Sequence, residues 1–445
     1  MKRDAKQGAK SCENRTPSSC ASPGLRNSVL LVLRFAILLS GLSHLINGQT
    51  RDSKPDGQLV LTGATIYASP TENPIKNGVV VILDGKIAAV GRRGSVRVPN
   101  GVATVNCSGL TITAGFWNSH VHFSKQKWAD AANIPAPDLA AQIQGMLTRY
   151  GFTSVFDLGS PWENTRRIRE RIESGEIPGP RIRSTGEMML GFSVPEEILR
   201  ASGTMQVTPQ PVVANPGEAL AASKKRLDAG TDGLKMYAAS PFSPFAILSG
   251  EVIRAVVDEA HRRNKPVFVH PQSRGGLLAV VAGGVDVIAH TTPISGPWDE
   301  SVLAAMRQAK VALIPTLKVW TYLLRDRTSL RDQWTRTNVG QLRAWLASGG
   351  MVLFGTDVDA GMDDYDPGEE YALMADAGMT FRQILSSLTT APAEKFGESG
   401  RLGRIAPGLV ADLVVLSGDP SRDVRVFAAV RYTIRDGKVI YRAAR

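Results

Sequence analysis

A chain of 445 residues with 43% hydrophobic and 21% charged residues has ordinary globular composition and ample material for a core, which sets aside disordered and fibrous classes. Its net charge of +11 overstates its basicity: residues 1–49 carry seven Lys/Arg against two acids, so +5 sits there and +6 remains for the rest. No Lys/Arg block interleaved with aromatic residues follows, and nucleic acid is not an expected partner.

The first predicted element is a targeting segment. Arg26 precedes the apolar runs Val29–Leu33 and Phe35–Leu39, and the small or polar Ser40, Gly41, Asn47 and Gly48 lead out of them. A basic region, a short apolar region and a small-residue exit predict a signal peptide over residues 1–49, with a long basic leader, and hence a periplasmic or extracellular protein. The rival reading is an uncleaved anchor, the one route by which a membrane becomes a partner. Arg34 interrupts the apolar run, which is short for a span of ~20 residues. Cys12 and Cys20 precede this run and Cys107 alone follows it, so the mature chain has no internal disulfide and no Cys-x-x-Cys motif.

Residues 58–113 read as short β-strands: Leu59–Leu61, Ala64–Tyr67, Gly78–Leu83, Lys86–Val90 and Val102–Val105, with Asp84-Gly85 as a hairpin signal. The carboxyl end repeats the style in Ala411–Leu416, Ala429–Ile434 and Lys438–Tyr441, with Asp436-Gly437 as the turn. Two all-β segments flanking a long middle predict one small β-sandwich built from both ends of the mature chain, residues 50–113 with 400–445.

The middle, residues 114–399, alternates apolar strands with helices. Candidate strands end at His122, Asp157, Glu187, Tyr237, His270, His290, Leu317 and Asp357. Asn215 with Pro216 opens one helix and Ser249 caps another. Eight such alternations predict an α/β fold, a (β/α)8 TIM-type barrel; an open doubly wound sheet is the runner-up, and no glycine-rich dinucleotide turn supports it.

Of six histidines, His44 lies in the targeting segment and His261 beside Arg262 and Arg263 on a helix. The other four, His120, His122, His270 and His290, stand at or just past strand carboxyl ends, where such a barrel houses its chemistry. His120 and His122 are two apart on a strand, so both imidazoles face one side and can share a cation. Asp357 closes the last strand with a carboxylate and Lys235 stands near the end of the fourth. Imidazole with carboxylate suits zinc, and also iron, manganese, cobalt or nickel.

The order His-x-His, Lys, His, His, Asp on successive strands resembles the amidohydrolase superfamily over essentially the whole mature chain. Thr113–His122 looks like its first-strand motif and Gly403–Leu416 like its return to the β domain; Gly151–Asp157 and Pro178–Arg181 also fit. The likeness is greatest to imidazolonepropionase-like and metal-dependent prolidase-like members. One departure is Met188–Phe192, where many of these carry a glycine-histidine element.

The resemblance implies that His120, His122 and Asp357 hold one divalent metal, zinc foremost, and that His270 and His290 hold a second, or contact substrate if only one binds. It implies a carboxylated Lys235 bridging the metals; the alternative is a salt bridge or a contact to a substrate carboxylate. A metal acidifies water and polarises a carbonyl, and Asp357 then moves the proton to the leaving nitrogen, so the expected activity is hydrolysis of an amide-type C–N bond. The expected substrate is a small molecule or short peptide, and a homo-oligomer is open. A deaminase or lactonase is the alternative activity, and a non-catalytic binding barrel the least favoured. Asp157 reads as a structural acceptor rather than a ligand, and Tyr237 as either orienting substrate or packing. Asp359, Asp363, Asp364, Asp366, Glu369 and Glu370 suggest either an acidic rim for cationic substrates or a capped helix start. Trp320, Tyr322 and Trp334 suggest either an aromatic lid or ordinary packing.

Overall fold

The structure, a computed structural model, describes residues 57–193, 205, 212–240 and 243–444; the expected targeting segment lies outside them. Among the described residues no helix is long and apolar enough to cross a membrane.

The amino-terminal strands are β1 (Leu59–Ile66), β2 (Ile75–Leu83), β3 (Lys86–Arg92), β4 (Thr104–Asn106) and β5 (Thr111–Ala114). The parallel strands of the middle are β6 (Phe116–Val121), β7 (Phe152–Asp157), β8 (Arg181–Ser184), β9 (Met189–Leu190) and β10 (Leu234–Tyr237). A hairpin of β11 (Ala239–Ser240) and β12 (Ser243–Ile247) precedes β13 (Val267–His270), β14 (Val287–Ala289), β15 (Ala312–Ile314) and β16 (Met351–Val352). The chain closes with β17 (Leu413–Leu416), β18 (Val430–Arg435) and β19 (Lys438–Arg442).

Both chain ends share one sheet, in the order β19-β18-β17-β5-β1-β2-β3, with β4 beside β1. The two expected tight hairpins are present. Asp84 and Gly85 have φ of 50° and 73°, and Asp436 and Gly437 have 49° and 75°. Both central residues are left-handed, which matches the twist of the flanking strands. Leu413, Val414, Val415 and Leu416 of β17 are fully buried. At ~1.5–3 kcal/mol per buried aliphatic side chain, these four alone contribute about 6–12 kcal/mol, as much as many whole domains have in net stability. Truncation after Gly400 removes this strand and leaves the edge of β5 unpaired, so the shortened chain should be insoluble. Expression and sedimentation check this; a soluble, active truncation would show that the sheet does not need its carboxyl-terminal strands.

The fold is α/β. Its middle strands form two parallel ladders, β6-β7-β8 and β9-β10-β13-β14-β15-β16. The core residues of β13, β14 and β15 are buried on both faces, as strands of a parallel sheet covered on both sides must be. Residues 353–358, which follow β16, return to β6: Ser119 N–H donates to Phe354 O at 2.8 Å, Asp357 N–H to His120 O at 2.8 Å and His122 N–H to Val358 O at 3.0 Å. The predicted continuous strand from Thr111 to His122 is instead two. It breaks at Gly115, where a Cβ would lie 2.3 Å from Thr153 Oγ1, and the chain passes there from the mixed sheet into the parallel one. The predicted strand ending at Leu317 stops at Ile314, and Leu317 opens a helix. The strand predicted to end at Glu187 is split into β8 and β9 by Thr185–Met188, with Gly186 left-handed against Trp162.

The helices are α1 (Ala136–Met146), α2 (Trp162–Glu173), α3 (Pro216–Asp228), α4 (Gly250–Arg262), α5 (Arg274–Ala282), α6 (Glu300–Gln308), α7 (Leu317–Leu323), α8 (Thr328–Ala347), α9 (Gly368–Asp376), α10 (Phe381–Leu388) and α11 (Thr390–Lys395). Asn215 and Ser249 cap α3 and α4 as expected, accepting from Glu218 N and Val252 N. In α4, Val252, Ile253, Val256, Val257 and Ala260 form the buried stripe.

Candidate metal centre

Strand ends set the site. His120 projects from β6 and His122 follows it; Lys235 lies in β10 and Tyr237 at its end; His270 ends β13; His290 follows β14; Asp357 follows β16. All seven line one cavity of about 310 Å³, together with Met188, Gln272, Val319, Trp320, Leu323 and Ala360. The structure thus brings together every ligand candidate read from the sequence, from five separate strands.

Their polar atoms converge. Nε2 of His120 and Nε2 of His122 are 3.2 Å apart and lie 3.0 and 2.9 Å from the same oxygen, Asp357 Oδ1. His290 Nε2 is 3.9 Å from the other oxygen, Oδ2. Ligand atoms of His120, His290 and Asp357 all fall within 4.8 Å of one another. Burial pushes His120 down to about 3 and moves His270 and His290 in the same direction, so these imidazoles are neutral with lone pairs to give. Burial would raise Asp357, but the imidazoles around it outweigh this and hold it well below the usual carboxylate range.

Lys235 is the anomaly. Its side chain is buried and Nζ has no hydrogen-bond partner, as is also true of His120 Nδ1. Burial brings the ammonium down to about 7. An unpaired amine aimed at neutral imidazoles and one carboxylate is costly unless something else fills the space between them. The donor set of imidazole and carboxylate fits a divalent cation.

Several supports were not read from the sequence. Asn118, two residues before His120 on the same face, donates to Thr356 Oγ1 at 2.8 Å and accepts from Thr356 N–H at 3.2 Å, tying the first strand to the segment bearing Asp357. Gln272 Oε1 accepts from the Tyr237 hydroxyl at 3.2 Å and lies 2.8 Å from His270 Nε2. The Tyr237 and His270 rings stack at 4.0 Å, because the two residues are register partners on neighbouring strands. The signal for Asn118 and Gln272 was their spacing of two from a histidine. Asp157 is buried and accepts from Ser160, Thr165 and Ser184, while Ser160 Oγ accepts from Phe123 N–H. It braces the end of the strand that carries His122 and does not line the cavity.

Backbone conformation marks the same place. Gln272, His290, Thr316, Asp357 and Asp359 all have left-handed φ, between 44° and 75°. Non-glycine residues rarely adopt it, and where they do the surrounding structure must hold them.

None of the acidic run lines the cavity; Asp359 and Glu370 are buried, while Asp363, Asp364, Asp366 and Glu369 stay exposed. Asp359 is buried against Trp128, Tyr365 and Lys127; Asp363 takes the Tyr322 hydroxyl; the Asp364 carboxylate pairs with Lys318 Nζ, which also donates to the backbone carbonyl of Asp366; the Asp366 carboxylate accepts from Gly368 N–H at the start of α9; Glu369 takes Thr321; Glu370 accepts two backbone N–H groups. Of the aromatic residues, Trp320 lines the cavity with its ring 6.1 Å from that of His290, and Trp334 stands edge-on behind it at 5.4 Å.

Known proteins resemble this chain along most of its length. The profile of the Amidohydrolase family matches residues 111–440. Ochratoxinase of Aspergillus niger is 24% identical over 428 residues, covering 87% of this chain and 88% of its own. A crystal structure of a prolidase complexed with N-methylphosphonate-L-proline superposes with a TM-score of 0.71 at 26% identity, over 87% of this chain and 100% of that one. A Xaa-Pro dipeptidase with methionine in its active site superposes at 0.73 with 21% identity, over 87% and 100%.

Proposed function

Because the chain belongs to the amidohydrolase family and is a hydrolase of carbon–nitrogen bonds, we propose that it cleaves an amide-type bond of a small molecule or short peptide. One or two divalent ions, zinc foremost, would be held by His120, His122, Lys235, His270, His290 and Asp357. The convergence of His120, His122 and Asp357 on one point, with neutral imidazoles and an unpaired Lys235 amine around it, carries this reading. We also infer that the two parallel ladders belong to one (β/α)8 barrel, and that residues 50–113 and 400–445 make a separate β domain.

A divalent cation in this position supplies carbonyl polarisation and a more acidic water. The chain's own residues then do the proton work. Asp357 is ionised, and its Oδ2, the oxygen not shared by His120 and His122, takes a proton from the attacking water and hands it to the leaving nitrogen. Burial raises the Tyr237 hydroxyl, so it stays a donor at the cavity mouth and can orient the substrate. Lys235, brought by burial down to about 7, would add through Nζ to carbon dioxide with loss of a proton, and as a carbamate would offer anionic oxygens to a bound metal.

One wall of the cavity is apolar. Helix α7 presents Val319, Trp320 and Leu323, at spacings that put them on one face, and Leu323 is 49% exposed. The substrate therefore carries an apolar group beside the scissile bond, and the prolidase and dipeptidase names of two structural relatives support a peptide-like one. A panel of Xaa-Pro dipeptides, N-acyl amino acids, cyclic ureides and lactones tests the reading. Amides with bulky apolar groups should be hydrolysed best, and Trp320→Ala should raise their KM about tenfold with kcat little changed. Hydrolysis confined to lactones would overturn it.

A further inference from the structure

His290 has a partner on the side away from the cluster. Its Nδ1 lies 2.6 Å from Thr316 Oγ1, and Thr316 Oγ1 lies 2.9 Å from its own neighbour's carbonyl, Pro315 O. A hydroxyl has one proton, and the carbonyl of Pro315 at 2.9 Å can only accept it, so the pair of contacts favours donation to Pro315 O. The hydroxyl must then accept from His290, which places the imidazole proton on Nδ1. Nε2 is left with its lone pair, facing Asp357 Oδ2 at 3.9 Å. An imidazole lone pair on that side faces the cluster and can serve a cation held there.

Thr316 occupies this position at a backbone cost. Its φ and ψ are 44° and 53°, a left-handed conformation that a β-branched residue avoids. The restraint comes from the next turn. Glu370, buried and outside the ligand set, accepts from Leu317 N–H at 2.9 Å and Lys318 N–H at 2.7 Å. Its carboxylate thus grips the two residues that follow Thr316 and fixes the direction in which α7 departs.

We propose that Thr316, held left-handed by the grip of Glu370 on α7, is a positioning residue that fixes His290 in the tautomer whose Nε2 faces Asp357. This rests on the reading of the cluster as a metal site, and orienting a ligand imidazole by a hydrogen bond to its other nitrogen commonly matters 10–100-fold in metal affinity.

Two measurements test it on the full purified chain. The first needs no metal. In apo protein carrying 15N-histidine, the signals lost on His290→Asn identify His290, and they should show a protonated Nδ1 and an unprotonated Nε2. The opposite tautomer overturns the proposal, whether or not the protein binds metal. The second is chelator-competition titration with zinc. Thr316→Val and Thr316→Gly should each weaken binding roughly 10–100-fold, and Thr316→Ser should restore it to within about threefold. Glycine suits the left-handed backbone, so apo Thr316→Gly should melt no lower than wild type while its zinc affinity falls. A purely structural Thr316 would instead lose stability and affinity together, and wild-type affinity in the valine variant would overturn the proposal. A wild type that binds no zinc at all would refute the metal site while leaving the tautomer measurement to decide on Thr316.

Discussion

Asp357→Asn should yield a folded protein that retains little metal and has lost at least about a thousandfold in kcat, within the range that a missing general base accounts for. The carboxylate does two things that a carboxamide cannot. Oδ1 is the point on which His120 and His122 Nε2 converge, at 3.0 and 2.9 Å, and a neutral oxygen there neutralises no cation. Oδ2 must carry a proton from water to the leaving nitrogen, and an amide has no comparable basicity. Asparagine rather than alanine is the informative replacement, because Asp357 has φ of 58° and asparagine tolerates that conformation. Elemental analysis, kcat and a melting curve check this together. Full metal content with full turnover would remove Asp357 from both roles.

Lys235→Ala should lower the metal content from near two per chain towards one and nearly abolish turnover. The amine is buried, unpaired and brought by burial down to about 7, so at neutral pH much of it is the uncharged form that can attack carbon dioxide. As a carbamate it would give one oxygen to each metal, at the ~3.5–4 Å spacing of two-metal hydrolases. The missing group is then a carboxylate on a short tether, and added acetate or propionate should restore part of the activity. Because the variant also removes an unpaired buried amine, its apo form should melt little below wild type despite the lost packing. If wild type binds one metal and the variant still binds it, the binuclear reading is wrong and Lys235 belongs to the substrate.

The site was legible wherever strand periodicity and strand ends carry it. His120 and His122 are two apart on a strand, and His270, His290 and Asp357 stand at the ends of apolar runs, so one sequence rule finds them all. The hairpins at Asp84-Gly85 and Asp436-Gly437 were equally plain, since few residue pairs accept two left-handed positions. What escaped depends on contacts between distant parts of the chain. Nothing local distinguishes Thr111–Ala114 from Phe116–Val121; only the approach of Thr153 to Gly115 separates them into different sheets. Thr316 looks like an ordinary loop residue until His290 is placed against it. The acidic run after Asp357 was only partly legible for the same reason: Asp366 does cap a helix start, but the burial of Asp359 depends on Trp128, far before it in the chain.

The pairing of β5 with β17, which sets Ala114 opposite Leu413, has a consequence in time. During synthesis at ~5–20 residues per second, about 300 residues separate these partners, so β5 waits roughly 15–60 s for its neighbour. Through that interval its backbone donors and acceptors form an open edge able to join any other extended chain nearby. The loop to be closed is also long, which slows folding further. A nascent chain should therefore be most prone to aggregate when the parallel strands are already made and the last forty-five residues are not.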